Sequence, residues 1–315
     1  MSSNPICRLT GIEKPVFQGG MAWISEANLA AAVSNAGGLG IISAGNAPES
    51  YVSDQIDLIR ALTDRPFGVN LMLQSPSAEA VAHLLSKKRV PVITTGAGSA
   101  GKFIPEWKEA GCVVIPVVAS VAMAKMAVRS GADAVIAEGG ESGGHIGELT
   151  TMALVPQVCD AVDVPVIAAG GIADGRGMAA AMCLGARGVQ MGTVFLSAQE
   201  CRVHENYKQA VLSAGDISTV VTGRRFQASS CRCIKNSFTR EFLRREYSPE
   251  ATPEEIASLG VGALRAAAVD GDVKNGCVLA GQISGMVNSR RTAAEIIDST
   301  LSGCRELLKG TEICP

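Results

Sequence analysis

Short apolar runs alternate with helical patterns through the first 193 residues of the chain. Val and Ile dominate these runs with little polar alternation, which is typical of parallel strands buried on both faces. The segments between them, such as 25–37 and 121–132, repeat their apolar residues at the helical period. The predicted strands are residues 15–18, 39–43, 67–73, 90–95, 112–118, 132–138, 164–170 and 187–193.

Eight strand–helix units predict an α/β fold, specifically a (β/α)8 TIM barrel, an architecture that typically needs about 250 residues. The rival fold is an open doubly wound sheet. That fold would favour a dinucleotide-binding fingerprint after the first strand. Residues 17–23, FQGGMAW, contain no such fingerprint, so the barrel is favoured.

The chain beyond the eighth strand is longer than one closing helix requires. We therefore predict a barrel with a cofactor site over residues 1–200 and a small helical C-terminal insertion or cap over 201–290. The closing helix of the barrel is expected within 291–315. A helical pattern at 251–269 lies inside the predicted cap, and a second at 292–308 is the predicted closing helix.

Composition narrows the class of protein. The chain has 315 residues, of which 47% are hydrophobic and 18% charged, so it can bury a large core. A formal net charge of −2 gives no electrostatic reason to bind nucleic acid or a membrane surface. Without a signal-peptide pattern or an apolar run near the roughly 20 residues of a membrane span, we expect a cytoplasmic protein. The ten cysteines are scattered without a CxxC pair, so we expect reduced structural thiols and no metal site.

The carboxyl ends of barrel strands build the site in this fold. After the first strand, Gly19 and Gly20 allow the backbone to approach a ligand closely, and Met21 and Ala22 offer apolar contact; an ordinary tight turn is the alternative. Asn70 interrupts the apolar third strand. A buried amide needs partners, so it either bonds neighbouring loops or presents its donor and acceptor to a planar heterocycle.

The seventh and eighth strands are each followed by a glycine turn. Gly170 and Gly171 run into a helix, and QMGT at 190–193 adds the hydroxyl of Thr193. These two turns form the usual phosphate site of such barrels. Because no GxxxxGK[ST] element is present, the phosphate is expected to belong to a bound cofactor. Together with Asn70 across the mouth, this outlines FMN; glycines that serve only helix–strand packing are the alternative.

The stretch AEGGESGGHIGELTT, residues 137–151, places a histidine on a glycine-lined turn after the sixth strand. His145 is the predicted catalytic residue, since an imidazole can deliver a proton near neutral pH; simple hydrogen bonding to the flavin or the loop is the alternative. His83 is expected on a helix surface and His204 in a polar segment. Glu138 and Glu141 are candidates to orient the ring or meet ribityl hydroxyls, or are ordinary loop carboxylates.

The residues predicted to bind the cofactor are therefore Gly19, Gly20, Met21, Ala22, Asn70, Glu138, Gly143, Gly144, Ala169, Gly170, Gly171, Gln190, Met191, Gly192 and Thr193.

Several stretches together resemble the FMN-dependent bacterial enoyl-acyl-carrier-protein reductases, the FabK family, over nearly the whole chain. The EGxExGGHxG and AAGGIADG pieces are shared with a wider group of flavoenzymes that includes nitronate monooxygenases. QGGMAW and DVKNGxxxAGQIxG are closer to the reductase branch. The stretches are QGGMAW (18–23), GVNLML (68–73), VIAEGGESGGHIGELTTMALVPQV (135–158), VPVIAAGGIADGRG (164–177), GVQMGT (188–193) and GDVKNGCVLAGQISGMV (271–287).

This resemblance implies that NADH or NADPH reduces bound FMN, which then reduces a trans-2-enoyl thioester on acyl carrier protein in fatty acid biosynthesis. His145 would stabilise the thioester enolate or protonate its α-carbon. The resemblance also implies a monovalent-cation dependence and a homodimer. The basic segment 224–245, with seven Lys or Arg against one Glu, is a candidate docking site for the acidic carrier protein or the nucleotide, or an ordinary solvated surface.

Two other functions compete with this one. A nitronate monooxygenase would use the same FMN and His145 but oxidise alkyl nitronates with dioxygen. A non-catalytic flavin or nucleotide binder would hold FMN without turnover, but the loop with His145 carries an ionisable group at the barrel mouth. An inosinate-dehydrogenase-like barrel is disfavoured because this loop offers no cysteine.

Overall fold

The computed structural model describes residues 4–226 and 230–309. Within them, the strands are β1 Val16–Gln18, β2 Gly40–Ser43, β3 Phe67–Met72, β4 Val92–Gly96, β5 Val113–Val118, β6 Val135–Glu138, β7 Gly144–His145, β8 Val166–Ala169, β9 Gly188–Met191, β10 Thr219–Thr222 and β11 Cys231–Ile234. The helices are α1 Pro5–Thr10, α2 Ala27–Asn35, α3 Glu49–Leu62, α4 Ala78–Lys87, α5 Ile104–Glu109, α6 Val121–Arg129, α7 Thr151–Ala161, α8 Gly175–Cys183, α9 Glu205–Leu212, α10 Ser237–Glu246, α11 Pro253–Gly260, α12 Ala263–Ala268 and α13 Ala293–Lys309.

Eight parallel strands form a TIM barrel in the order β1-β9-β8-β6-β5-β4-β3-β2. The two ends of this order meet at Leu39, whose backbone N donates to Val16 O (2.9 Å) and whose carbonyl accepts from Gln18 N (3.0 Å). The barrel fold and all eight predicted strands are thus confirmed, with boundaries that differ by a few residues.

The barrel interior is filled by apolar side chains from its strands. Phe17, Ile41, Ile115, Ile136 and Ile167 belong to one fully buried cluster inside the barrel. Larger clusters fill the space between the strands and the surrounding helices. Strands with apolar side chains on both faces are required because one face meets the interior and the other meets helices.

The closing helix is confirmed as α13, which packs against α8 and α2. The helical pattern predicted at 251–269 is confirmed and consists of two helices, α11 and α12. The chain breaks at Gly262, whose φ is 74°, a left-handed conformation that glycine adopts readily. The division into 1–200, 201–290 and 291–315 stays a prediction, and residues 1–3 and 310–315 lie outside the described part.

The cap contains helices, as predicted, but also a small antiparallel sheet in the order β10-β11-β7. Its third strand, β7, belongs to the loop between β6 and α7. In this sheet Cys231 is in register with His145, and Arg232 with Gly144. The cap is therefore joined through the backbone to the loop that carries the predicted catalytic histidine.

Between residues 4 and 309, outside the gap at 227–229, no helix combines the length and the apolar character that crossing a membrane requires.

Candidate active site

A cavity of about 390 Å³ lies at the carboxyl ends of the barrel strands. This volume is in the range of small-molecule and cofactor sites. All sixteen residues that the sequence predicts for the site line it: Gly19, Gly20, Met21, Ala22, Asn70, Glu138, Gly143, Gly144, His145, Ala169, Gly170, Gly171, Gln190, Met191, Gly192 and Thr193. They converge because parallel strands direct all their carboxyl ends to one mouth of the barrel.

The first glycine turn packs against strand β3. A Cβ atom at Gly20 would overlap the Cβ of Asn70, so only glycine lets the turn lie this close. The hydroxyl of Thr94 donates to Asn70 Oδ1 (2.9 Å) and orients the amide within the cavity lining. The Asn70 amide therefore bonds the neighbouring strand β4 and lines the cavity, and its contact with a planar ligand stays a prediction.

The turns after β8 and β9 lie side by side, since Ala169 is in register with Gln190. Thr193 is buried, and its Oγ1 accepts a hydrogen bond from the backbone N of Gly281 (2.9 Å). Its hydroxyl thus holds the segment that returns from the cap and keeps its own proton for donation. A cofactor phosphate at these turns stays a prediction.

Residues 139–150, here called loop six, connect β6 to α7 and surround His145. Within loop six, Gly140 N donates a hydrogen bond to Leu149 O (2.8 Å). Loop six also bonds the cap, where Ile146 N donates to Ser230 O (3.0 Å). At Gly143, a Cβ would lie 2.6 Å from the carbonyl carbon of Ala280. Loop six is therefore an ordered segment packed against the cap.

The two carboxylates near His145 have different roles. Glu141 accepts hydrogen bonds from Thr151 N (3.0 and 2.9 Å) and Thr151 Oγ1 (2.9 Å), and so caps the first turn of α7. Glu138, at the end of β6, lines the cavity. Burial raises the pKa of Glu138 to about 7, and the Ser142 side chain partly opposes this shift. Both carboxylates line the cavity, but Glu141 also caps α7, whereas the carboxyl of Glu138 is partly protonated near neutral pH.

His145 lies at the rim of the cavity with its side chain exposed to solvent, yet crowded by neighbouring atoms on one side. This partial desolvation lowers the pKa of His145 below the usual histidine value. The ring is therefore neutral at pH 7 and presents one N–H donor. His83 lies on the surface of α4, as predicted, where it pairs with Glu106, and His204 caps α9 by accepting from Asn206 N.

Most of the basic segment 224–245 is engaged within the chain. The guanidinium of Arg232 is buried and donates to Gly140 O, and Lys235 Nζ donates to Ile217 O (2.6 Å). Arg244 and Arg245 pair with Glu241. These contacts favour the structural alternative over a docking site, although residues 227–229 lie outside the described part.

Sequence analysis missed part of the cavity lining. Ala97, after β4, has a φ of 55°, an uncommon conformation for a residue other than glycine and one that often marks functional sites. The glycine-rich sequence GAGSAG at residues 96–101 could have indicated that this loop lines the site. The other missed lining residues include Ser43, Gly45, Gly96, Ser142, Leu196, Leu264, Leu279 and Ile283.

The cavity has the features that a flavin requires. A Cβ at Gly96 would meet no atom within 4 Å, so this glycine opens space in the lining. The polar side chains of Asn70, Glu138 and Thr193 line the same cavity. A planar ligand with polar groups would fill this space and meet these side chains.

Comparison with known proteins identifies the class of enzyme. The fold and the cavity are those of a flavin-dependent oxidoreductase. FabK from Thermotoga maritima superposes with a TM-score of 0.95 and 45% identity over 98% of both chains. Nitroalkane oxidase from Streptomyces ansochromogenes gives 0.86 and 30%, over 96% of this chain and 99% of its own.

The chain belongs to the nitronate monooxygenase family, whose model matches residues 3–85 and 78–303. A (3aS,4S,5R,7aS)-5-hydroxy-7a-methyl-1-oxo-octahydro-1H-indene-4-carboxyl-CoA dehydrogenase from Mycobacterium tuberculosis is 35% identical over 94% of both chains. A probable nitronate monooxygenase from Staphylococcus aureus is also 35% identical, over 78% of this chain and 82% of its own. The names of these relatives thus describe more than one reaction. The residues of the site have to distinguish between those reactions.

Proposed function

We propose that this protein is an FMN-dependent enoyl-acyl-carrier-protein reductase, which reduces trans-2-enoyl thioesters with NADH or NADPH in fatty acid biosynthesis. The observation that carries the proposal is the 45% identity to FabK over 98% of both chains, against 30% to the nitroalkane oxidase. The dehydrogenase from Mycobacterium tuberculosis, by its name, also acts on an acyl thioester, and it matches 94% of this chain.

Each group of cavity residues is proposed to bind one part of FMN. The turns at Gly170–Gly171 and Gly192–Thr193 would hold the phosphate, and the amide of Asn70 would meet the ring. Glu138 and the Ser142 hydroxyl would meet the polar ribityl chain. Bound FMN supplies the hydride chemistry, from the reduced nicotinamide to the β-carbon of the enoyl thioester.

His145 would supply a group that the cofactor lacks, namely a proton donor for the substrate. At pH 7 its neutral ring donates an N–H hydrogen bond toward the thioester oxygen, where negative charge develops during reduction. Below its lowered pKa, the protonated ring delivers a proton to the α-carbon. His145 lies at the rim of the cavity. From there it can meet the thioester of a substrate whose carrier protein stays outside the cavity.

The remaining parts of the proposal follow the same family resemblance. The proposed partners are acyl carrier protein and a nicotinamide nucleotide, and the proposed assembly is a homodimer. A monovalent cation is the proposed further requirement, and the cytoplasm is the proposed location. Most exposed charges of the basic segment bond groups of the chain itself, namely Arg225, Lys235, Arg244 and Arg245. Docking of the carrier protein on that segment therefore has less support than the chemistry of the cavity.

Anaerobic mixing of the FMN-loaded protein with NADH, with and without crotonyl thioester, tests this function. We expect bleaching of the flavin absorbance by NADH and reoxidation when the thioester is added. The second candidate is a nitronate monooxygenase, favoured by the family model and by the relative from Staphylococcus aureus. A flavin that stays oxidised with NADH but is bleached by an alkyl nitronate would establish that candidate instead.

A further inference from the structure

One residue of the cap, Arg232, holds loop six at two points. Its backbone on β11 is in register with Gly144 on β7. Its side chain reaches back to the start of the loop, where Nε and Nη2 donate to the carbonyl of Gly140 (3.0 and 2.8 Å). Nη1 donates to Thr219 Oγ1 (3.3 Å), which fixes the guanidinium on its other side. Arg232 therefore spans the turn that leads into His145.

The turn held in this way has little stiffness of its own. The sequence from 139 to 144 is GGESGG, so four of its six residues are glycines. Glycine loses more conformational freedom on folding than any other residue, and a glycine-rich segment needs external contacts to keep one conformation. His145 follows this segment directly, so any drift of the turn moves the imidazole.

Stability alone does not account for an arginine at this position. The side chain is buried, and within the described residues it makes no ion pair with a carboxylate. Burial, and after it the charge of Arg224, lowers the pKa of Arg232, and the charge of Glu141 partly opposes this shift. A buried charge without a carboxylate at ion-pair distance costs stability, so the charge by itself does not explain the arginine. The planar guanidinium instead provides geometry, because it bonds one carbonyl through two nitrogens.

We propose that Arg232 is a positioning residue for His145: by bonding Gly140 and pairing with Gly144, it sets where the imidazole lies over the cavity. This inference rests on the proposed function only for its effect on enoyl reduction. Its structural part concerns loop six and applies to any reaction that uses His145. It also gives Arg232 an internal role, which removes this residue from the candidate docking surface.

The test compares FMN-loaded Arg232→Met, Arg232→Lys and wild type, with Arg240→Met as the matched control. Arg240 lies in the same basic segment and is exposed, and its side chain bonds the nearby Ser237 Oγ on the same helix. The chain has three histidines, so ¹⁵N-histidine labelling gives three sets of ring signals. His145→Asn identifies the His145 signal by its loss.

In Arg232→Met we expect the His145 signal to move and its titration midpoint to rise toward the ordinary histidine value, while the other two signals stay in place. Flavin content and reduction by NADH should be retained. The kcat for enoyl reduction should fall by a factor on the order of 100, the cost expected of a displacement of about 1 Å. Arg232→Lys should recover part of this loss, and Arg240→Met should behave as wild type.

A folded Arg232→Met protein with an unmoved His145 signal overturns the proposal. If that variant does not fold, the same comparison with Arg232→Lys decides, because lysine keeps the charge but loses the planar two-nitrogen contact. Wild-type protein that reduces no enoyl thioester removes the proposed function. The spectroscopic comparison of His145 then still decides whether Arg232 positions it.

Discussion

Gly20 lies so close to the Cβ of Asn70 that the turn after β1 and the side chain on β3 leave no room for a methyl group between them. Both residues line the same cavity. The first glycine turn and the amide are therefore one packed unit, and a change in either residue changes the shape of the ligand site.

Gly20→Ala is expected to push the Asn70 amide out of its place and to weaken FMN binding. The loss should be at least tenfold in the dissociation constant, measured by flavin fluorescence during titration of the flavin-free protein. Gly260→Ala is the matched control, since a Cβ there meets no atom within 4 Å. Equal flavin affinity in Gly20→Ala and wild type would contradict the role given to this contact.

His145→Ala should bind FMN and allow its reduction by NADH, yet lose enoyl reduction by a factor of about 100 to 10,000, the usual contribution of a positioned proton donor. Stopped-flow absorbance separates the two half-reactions. His83→Ala, which removes an exposed histidine on α4, should leave both unchanged. Full crotonyl-thioester turnover in His145→Ala would refute the proton-handling role.

Glu138 makes the stability of the flavin-free protein depend on pH. Its pKa is raised from 4.5 in the unfolded chain to about 7 in the folded state, so the folded state binds this proton more tightly. The contribution of Glu138 to stability is then fully present below pH 4.5 and is lost as the pH rises through 7, by up to about 3 kcal/mol. Glu138→Gln should lack this part of the pH dependence.

Urea unfolding of both flavin-free proteins at pH 5 and pH 8 measures this difference. We expect the free energy of unfolding of Glu138→Gln, relative to wild type, to be higher at pH 8 than at pH 5. The same difference at both pH values would show that the Glu138 carboxyl is not held in its protonated form by burial.

Glu141→Ala removes the carboxylate that accepts hydrogen bonds from Thr151 at the start of α7. A lost helix cap costs about 0.5–2 kcal/mol, so the free energy of unfolding should fall by that amount. Glu148→Ala, an exposed carboxylate in the same loop, is the control. A ligand role for Glu141 without a capping role would instead leave stability unchanged and weaken only flavin binding.

The barrel and most of the cavity were predictable from the sequence because both depend on local patterns. Val- and Ile-rich runs separated by helical periods fix eight strands and their order along the chain. A parallel barrel then brings the carboxyl ends together, so residues as distant in sequence as Gly19, Asn70 and Thr193 were assigned to one site before any contact was known.

Only the tertiary structure decided which of these residues serve the cavity and which support it. The pairing of β7 with β11 involves two residues of loop six, too few for a period-two pattern, with a partner far along the chain. Likewise, the sequence left open whether Glu141 meets a ligand and whether Arg232 belongs to a docking surface. In the structure each bonds a backbone group of loop six or α7. Such contacts depend on where distant loops meet in space, and local hydrophobic periodicity carries no information about that meeting.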